Sequence, residues 1–385
     1  MSQRATCVVY RAALVLLLSA GFAAMPARAA QAGSVQATPD RIQEIRRKVQ
    51  NGEPITPEER RIVQEYMAQR GAGAAGAQAL AQRRQQWMKE HPPQASTGLI
   101  PLTDLGAGTY QGQEGGLYPG GRNAPPKFHL DEGIRLAGEV APLDQDGNRS
   151  PEGTIVFLSI GFSNPNIEFP AFIRRASREP GLNPRLRMLN GCVGSRASSE
   201  QANPHSIYWS EVDERLAAAG VTARQVQALW IKEVIPGAAG FPDKAQELAR
   251  DLTETLHVAH DRFPHAKLAY LSSRTYGGWT EVGGSPEPGA YESGFAVKWV
   301  VSSQLAEEAE VNYNPAKGAV RAPWIEWGPY LWNDGVKGRK DGFVYLREDV
   351  REDGLHPSDQ GSAKIAELMW RVFSSDPAAR PWFLK

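Results

Sequence analysis

"TIVFLSIGFSNPN", residues 154–166, is the stretch whose reading decides the fold. Between Thr154 and Gly161 it is almost continuously apolar, with none of the alternation of a half-exposed strand. Such a run reads as a strand buried on both faces. It stops at Gly161, and Ser163 and Asn164 stand just past its end. Ser163 is therefore either a nucleophile presented at a strand tip or a loop serine where a core strand meets the surface.

The same texture continues outward from that run. "GTIVFLSIG", "RLRMLNG", "VQALWIKEV" and "KLAYLSS" are strand candidates, and helix candidates lie around 168–178, 207–219, 243–262, 288–307 and 359–373. Ala245, Leu248, Leu252 and Leu256 recur at helical spacing. Strands and helices in alternation predict an α/β fold: a parallel sheet covered by helices on both faces, with ligands at the carboxyl ends of its strands. Residues 151–385 carry this pattern. Residues 99–150, with "GTYQGQEGGLYPGG", read as an irregular lead-in rich in Gly and Pro. Residues 30–98 read as a helical N-terminal extension, in which Thr56, Pro57 and Glu59 have capping-box spacing. The extension is either a docking arm or helices packed on the main domain.

Residues 1–29 have the form of a secretory signal peptide. Arg4 and Arg11 precede the apolar run Ala12 to Ala24, and "PARAAQA" supplies small residues for cleavage after Ala29. The expectation is an exported protein, periplasmic or extracellular, with no membrane span in its mature form. Cys7 leaves with the leader, and Cys192 then has no intramolecular partner, so no disulfide framework is available. The 43 basic residues balance 43 acidic ones without a basic block, which argues against a nucleic-acid partner.

A serine hydroxyl needs a base before it becomes a nucleophile. Of seven histidines, His257, His260 and His265 fall on or just after one helix, and His91, His129 and His205 fall in polar or Pro-rich loops. His257 and His260 lack further ligands at zinc spacing, so no metal is expected. His356 differs, because in "REDGLHPSDQGSAKIAELMW" Asp353 precedes it by three residues. A carboxylate so placed can fix the imidazole tautomer and stabilise the imidazolium formed when the ring takes the serine proton.

These pieces resemble the SGNH, or GDSL-type, serine hydrolases. "IGFSN", "NGCVGS" and "DGLHPSDQG" stand in the family's order over roughly residues 151–375. The resemblance implies a flavodoxin-like three-layer α/β/α fold, a Ser163, His356 and Asp353 triad, no cofactor, and oxyanion donors from the Ser163 and Gly194 amides. Two departures stand out. Phe162 occupies the usual acidic position before the serine, and the third block has Lys232 and Glu233 where the family has an oxyanion-hole Asn. Lys232 either fills that role, or holds a substrate carboxylate, or pairs with Glu233 or another acid. Asn164 and Asn190 are alternative donors.

"APWIEWGPYLWNDG" concentrates Trp324, Trp327, Tyr330 and Trp332, either as core or as flat faces for a sugar. "SSRTYGGW" adds Arg274, Tyr276 and Trp279 as a second candidate wall, with Arg274 facing an anionic group or a helix end. Asn164, Arg274, Tyr276, Trp327 and Trp332 are the candidate substrate-binding residues. The expected activity is an exported serine esterase acting on a small-molecule or glycan ester, with acetylated carbohydrate as the substrate class the resemblance implies. The alternative is a catalytically lapsed, carbohydrate-binding relative.

Overall fold

The structure is a computed structural model describing residues 39–50, 56, 58–59, 61–63, 66 and 74–385, apart from 238–239. The signal-peptide reading of residues 1–29 lies outside the described residues. The chain divides into two compact units, one of residues 1–86 with 205–207 and one holding the rest.

In the first unit, α1 (Pro39–Gln50) buries Ile42 and Ile45 with Ile62. The capping box forms as its spacing predicts: Thr56 donates its N–H to Glu59 Oε2 at 2.9 Å, and the Glu59 N–H returns to Thr56 Oγ1 at 3.2 Å. Glu59 also takes Lys48 at 2.8 Å. The helix α2 (Ala74–Glu90) follows.

The second unit is built on five parallel strands: β1 (Ile155–Gly161), β2 (Leu186–Asn190), β3 (Val226–Lys232), β4 (Leu268–Leu271) and β5 (Trp324–Trp327). Their order across the sheet is β2-β1-β3-β4-β5. Every residue of β1, β3, β4 and β5 is buried, which explains why these segments show no alternation. The aromatic density of β5 hid it from pattern reading, although a strand covered on both faces accepts a tryptophan at either.

Between the strands run α4 (Ser163–Ala176), α5 (Ile207–Ala218), α6 (Asp243–Arg262) and α7 (Gly289–Leu305), and α8 (Asp359–Ser375) follows β5. Right-handed crossovers put α4 on one face and the helices after β2, β3 and β4 on the other. Accordingly α4 packs along α8, and α6 along α7. Phe157 of β1 meets Phe169, Phe373 and Trp382 edge-on in the α4 and α8 layer. The fold is the expected three-layer α/β/α sandwich with flavodoxin-like strand order.

The lead-in holds more order than its glycines suggest. Within it α3 (Lys127–Ala137) packs Gly133 so closely on Trp324 that a Cβ would lie 2.3 Å from the indole. His129, expected in a loop, is instead buried on this helix, with Nε2 2.8 Å from the Ile325 carbonyl. Among the described residues no helix is long and apolar enough to cross a membrane.

Candidate active site

The sheet register brings the pieces together. Gly161 pairs with Lys232, so β1 and β3 end level. A Cβ on Gly161 would lie 2.3 Å from the Lys232 carbonyl, so only glycine lets the chain turn at once from β1 into α4. Phe162 is the N-cap, and Ser163 is the first helical residue. Its N–H belongs to the first helical turn, where amides have no intrahelical acceptor and the helix dipole is positive.

His356 arrives from the turn before α8. Its Nε2 lies 2.9 Å from Ser163 Oγ and its Nδ1 lies 2.7 Å from Asp353 Oδ2. An ionised carboxylate only accepts, so Nδ1 carries the proton and Nε2 is left to accept the serine hydroxyl. The other Asp353 oxygen accepts the Leu355 and His356 N–H groups at 2.9 and 3.0 Å. Partial burial raises the Asp353 carboxyl, but the bonds from the His356 ring and these two amides outweigh it and bring the group down to about 2. Gly354 makes the turn possible: its φ is +66°, and a Cβ there would lie 1.7 Å from the Trp279 carbonyl. Glu281 donates its N–H to the Asp353 carbonyl at 3.0 Å, so the 277–284 loop also braces the turn.

Gly194 lies beyond β2, and the neighbouring Val193 N–H bonds the Gly161 carbonyl at 3.0 Å, which draws this loop to the end of β1. The Gly194 amide donates to no group among the described residues. Asn190 is committed elsewhere. Its carbonyl oxygen accepts from Ser159 Oγ and the Cys192 N–H, both at 3.1 Å, and its amide donates to Asn166 at 2.8 Å.

The remaining candidates take different places from those the sequence suggests. Lys232 is fully buried and gives its ammonium to both oxygens of Glu168, each at 2.7 Å. Burial pulls this lysine down to about 8 against the attraction of Glu168. Of the open readings it therefore takes the ion pair, with an acid from α4 rather than Glu233. Glu233 itself is buried, and desolvation pushes it well above the usual carboxyl range. Asn164 donates Nδ2 to the Leu355 carbonyl at 3.0 Å, tying the histidine turn to the helix that starts at Ser163.

The aromatic walls are core. Trp327 gives its N–H to the Leu117 carbonyl at 2.7 Å and Trp332 gives its own to Glu287 at 2.8 Å, while the Tyr276 hydroxyl donates to the Gln94 carbonyl at 2.8 Å. All three rings are buried, so Trp327 and Trp332 take the core reading of the two left open, and the candidacy of all three as substrate-binding residues is corrected. They are large apolar bodies whose polar tips find internal acceptors. Arg274 is buried too, its guanidinium 4.9 Å over the ring of Phe162. Among the described residues no group of three or more His, Cys, Asp or Glu is placed to hold a metal.

The ion pair was among the open readings of Lys232, but its partner Glu168 escaped sequence reading, although it is a lone charge inside the apolar start of α4, which is how a buried partner announces itself.

No family model and no curated protein matches the chain. Solved structures similar to it include a protein of Slackia heliotrinireducens assigned to the SGNH hydrolases. That likeness has 14% identity and a TM-score of 0.28 and covers 57% of this chain and 98% of the other. Another is the salicylyl-acyltransferase SsfX3 of a tetracycline biosynthetic pathway, with 14% identity and a TM-score of 0.33, over 60% of this chain and 58% of that one. Superpositions this loose assign neither reaction nor substrate, and the weight falls on the chain's own features. By its strand order the chain has a three-layer α/β/α fold, and the three sequence blocks that resemble those of the SGNH-type hydrolases stand at the ends of its strands and at the turn before α8.

Proposed function

We propose that the protein is a serine esterase in which Ser163 attacks the carbonyl of a carboxylic ester. The observation that supports this most strongly is the continuous line from Ser163 Oγ through His356 to Asp353, at 2.9 and 2.7 Å. In this mechanism Nε2 of His356 takes the hydroxyl proton as the serine oxygen bonds to the carbonyl carbon. The carbonyl oxygen becomes an oxyanion facing the Ser163 amide at the head of α4 and the Gly194 amide of the loop beyond β2. The imidazolium, steadied by Asp353, then protonates the departing alcohol and leaves an acyl-serine. Water, deprotonated by the same histidine, cleaves that ester and restores the free serine.

With Lys232 engaged by Glu168, the oxyanion rests on backbone amides and the helix terminus. The lapsed-binder alternative was motivated by the missing third-block Asn and assigned glycan recognition to the aromatic loops; the burial of Trp327, Trp332 and Tyr276 weakens the second part. Export after cleavage at Ala29 and action on acylated carbohydrate complete the proposal.

The test is hydrolysis of 4-nitrophenyl acetate by the protein lacking residues 1–29. The parent is expected to turn over, and Ser163→Ala and His356→Ala are expected to fall to background. Equal rates in all three would refute the assignment.

A further inference from the structure

Arg274 is 2% exposed, yet its side chain donates no hydrogen bond among the described residues and its Nε is buried without a partner. A desolvated guanidinium left unpaired is costly, and native cores rarely leave one so. This chain pairs its buried arginine elsewhere: Arg339 holds both oxygens of Asp341, at 3.0 and 2.7 Å, and also the Tyr330 carbonyl.

The acids nearest Arg274 are already committed. Glu168 is held by Lys232 through both oxygens at 2.7 Å. Glu287 accepts the N–H groups of Gly277, Trp332 and Tyr291 at 2.7, 2.8 and 3.1 Å. Both acids that Arg274 feels, Glu168 and Glu287, thus have their oxygens taken by other donors, and neither hydrogen-bonds the guanidinium. The Arg274 main chain is pinned by its N–H bond to Ser293 Oγ at 3.1 Å. Its guanidinium lies against Phe162, the residue before the nucleophile. Beside it in the chain, the Ser273 hydroxyl is also buried without a partner.

We infer that Arg274, with the Ser273 hydroxyl, receives a carboxylate of the substrate, so that the ester this site takes is a monoanion with its charge close to the scissile bond. The inference rests on the esterase reading and names the substrate class for it. A carboxylate presents two coplanar oxygens to the fork of donors and supplies the hydrogen-bonded partner the guanidinium lacks. The acetyl esters of neutral sugars lack such a group, so the acyl or alcohol portion of the substrate is acidic.

The test compares kcat/KM for two matched pairs of esters. One pair is 4-nitrophenyl hemiglutarate and 4-nitrophenyl valerate, with the charge on the acyl side. The other is 4-carboxyphenyl acetate and 4-carbamoylphenyl acetate, with the charge on the alcohol side. In at least one pair the anionic member is expected to be preferred by about 10–100-fold, the worth of a paired, charge-assisted contact. Arg274→Gln is expected to collapse that ratio toward one, and Arg274→Lys to keep part of it. In the parent, glutarate but not glutaramide is expected to slow fluorophosphonate labelling of Ser163, which needs no variant to fold. Turnover without charge preference, a preference that survives Arg274→Gln, or labelling indifferent to glutarate would each overturn the inference alone. No turnover of any of the four esters, with no fluorophosphonate adduct, would overturn the esterase reading and this inference with it.

Discussion

Asp353 is a carboxylate whose surroundings oppose and favour its charge at once. Partial burial raises it, while the His356 ring and two backbone amides together bring it to about 2. It therefore stays ionised through the whole range in which imidazole works as a base, and in the proposed mechanism it holds the Nδ1–H tautomer. Asp353→Asn keeps the shape and removes that preference, so kcat is expected to fall about 10⁴-fold in an ester-hydrolysis assay, with little change in KM. The spacing of Asp353 and His356 was readable in the sequence because one turn supplies both groups. The destination of Asn164 was not, since a side-chain amide beside a nucleophile looks the same whether it faces substrate or the Leu355 carbonyl, 191 positions away.

Between elements, the pair of Lys232 on β3 and Glu168 on α4 joins the sheet to the helix that carries the serine. Both side chains are fully buried, so losing one partner leaves the other charged and desolvated. Lys232→Met is expected to destabilise the protein by about 3–5 kcal/mol in urea unfolding. The double variant Lys232→Met with Glu168→Gln is expected to recover much of that loss, and additive losses would show that the two groups are not coupled. Strands β1, β3 and β4 were legible because a parallel strand covered on both faces is a short apolar run, and β2, at the sheet edge, by its leucines and methionine. The strand β5 was not, because "WIEW" fits equally well as a wall of rings. The helix α3 was hidden in a segment whose glycines and prolines read as loop.

Across the whole molecule, desolvation raises several acids above the usual carboxyl range, and their linkage to pH has a definite sign. Burial pushes Glu287 up to about 7, against the three N–H groups and the nearby Arg274 charge that favour its anion. In the unfolded chain a glutamate titrates near ~4.3. Between those values the native state holds a proton that the unfolded state has lost, so stability is greatest below the lower value and declines as pH rises toward 7. The decline is expected to be on the order of 3 kcal/mol, read from urea midpoints at pH 4.5 and 7.5. Glu287→Gln is expected to flatten the slope whatever its effect on the level, and an unchanged slope would assign the dependence to other groups. The three-layer architecture was legible from strand and helix alternation alone. The buried charge was not, because sequence shows which residues are acidic but not which are desolvated once the layers close.

The central claim is that His356 activates Ser163, and the most direct measurement is fluorophosphonate labelling of the protein lacking residues 1–29, mapped by peptide mass. The account predicts one adduct per chain, on Ser163, formed rapidly by the parent and at background rate by His356→Ala. No adduct on the parent, an adduct on another serine, or labelling that survives His356→Ala would contradict it.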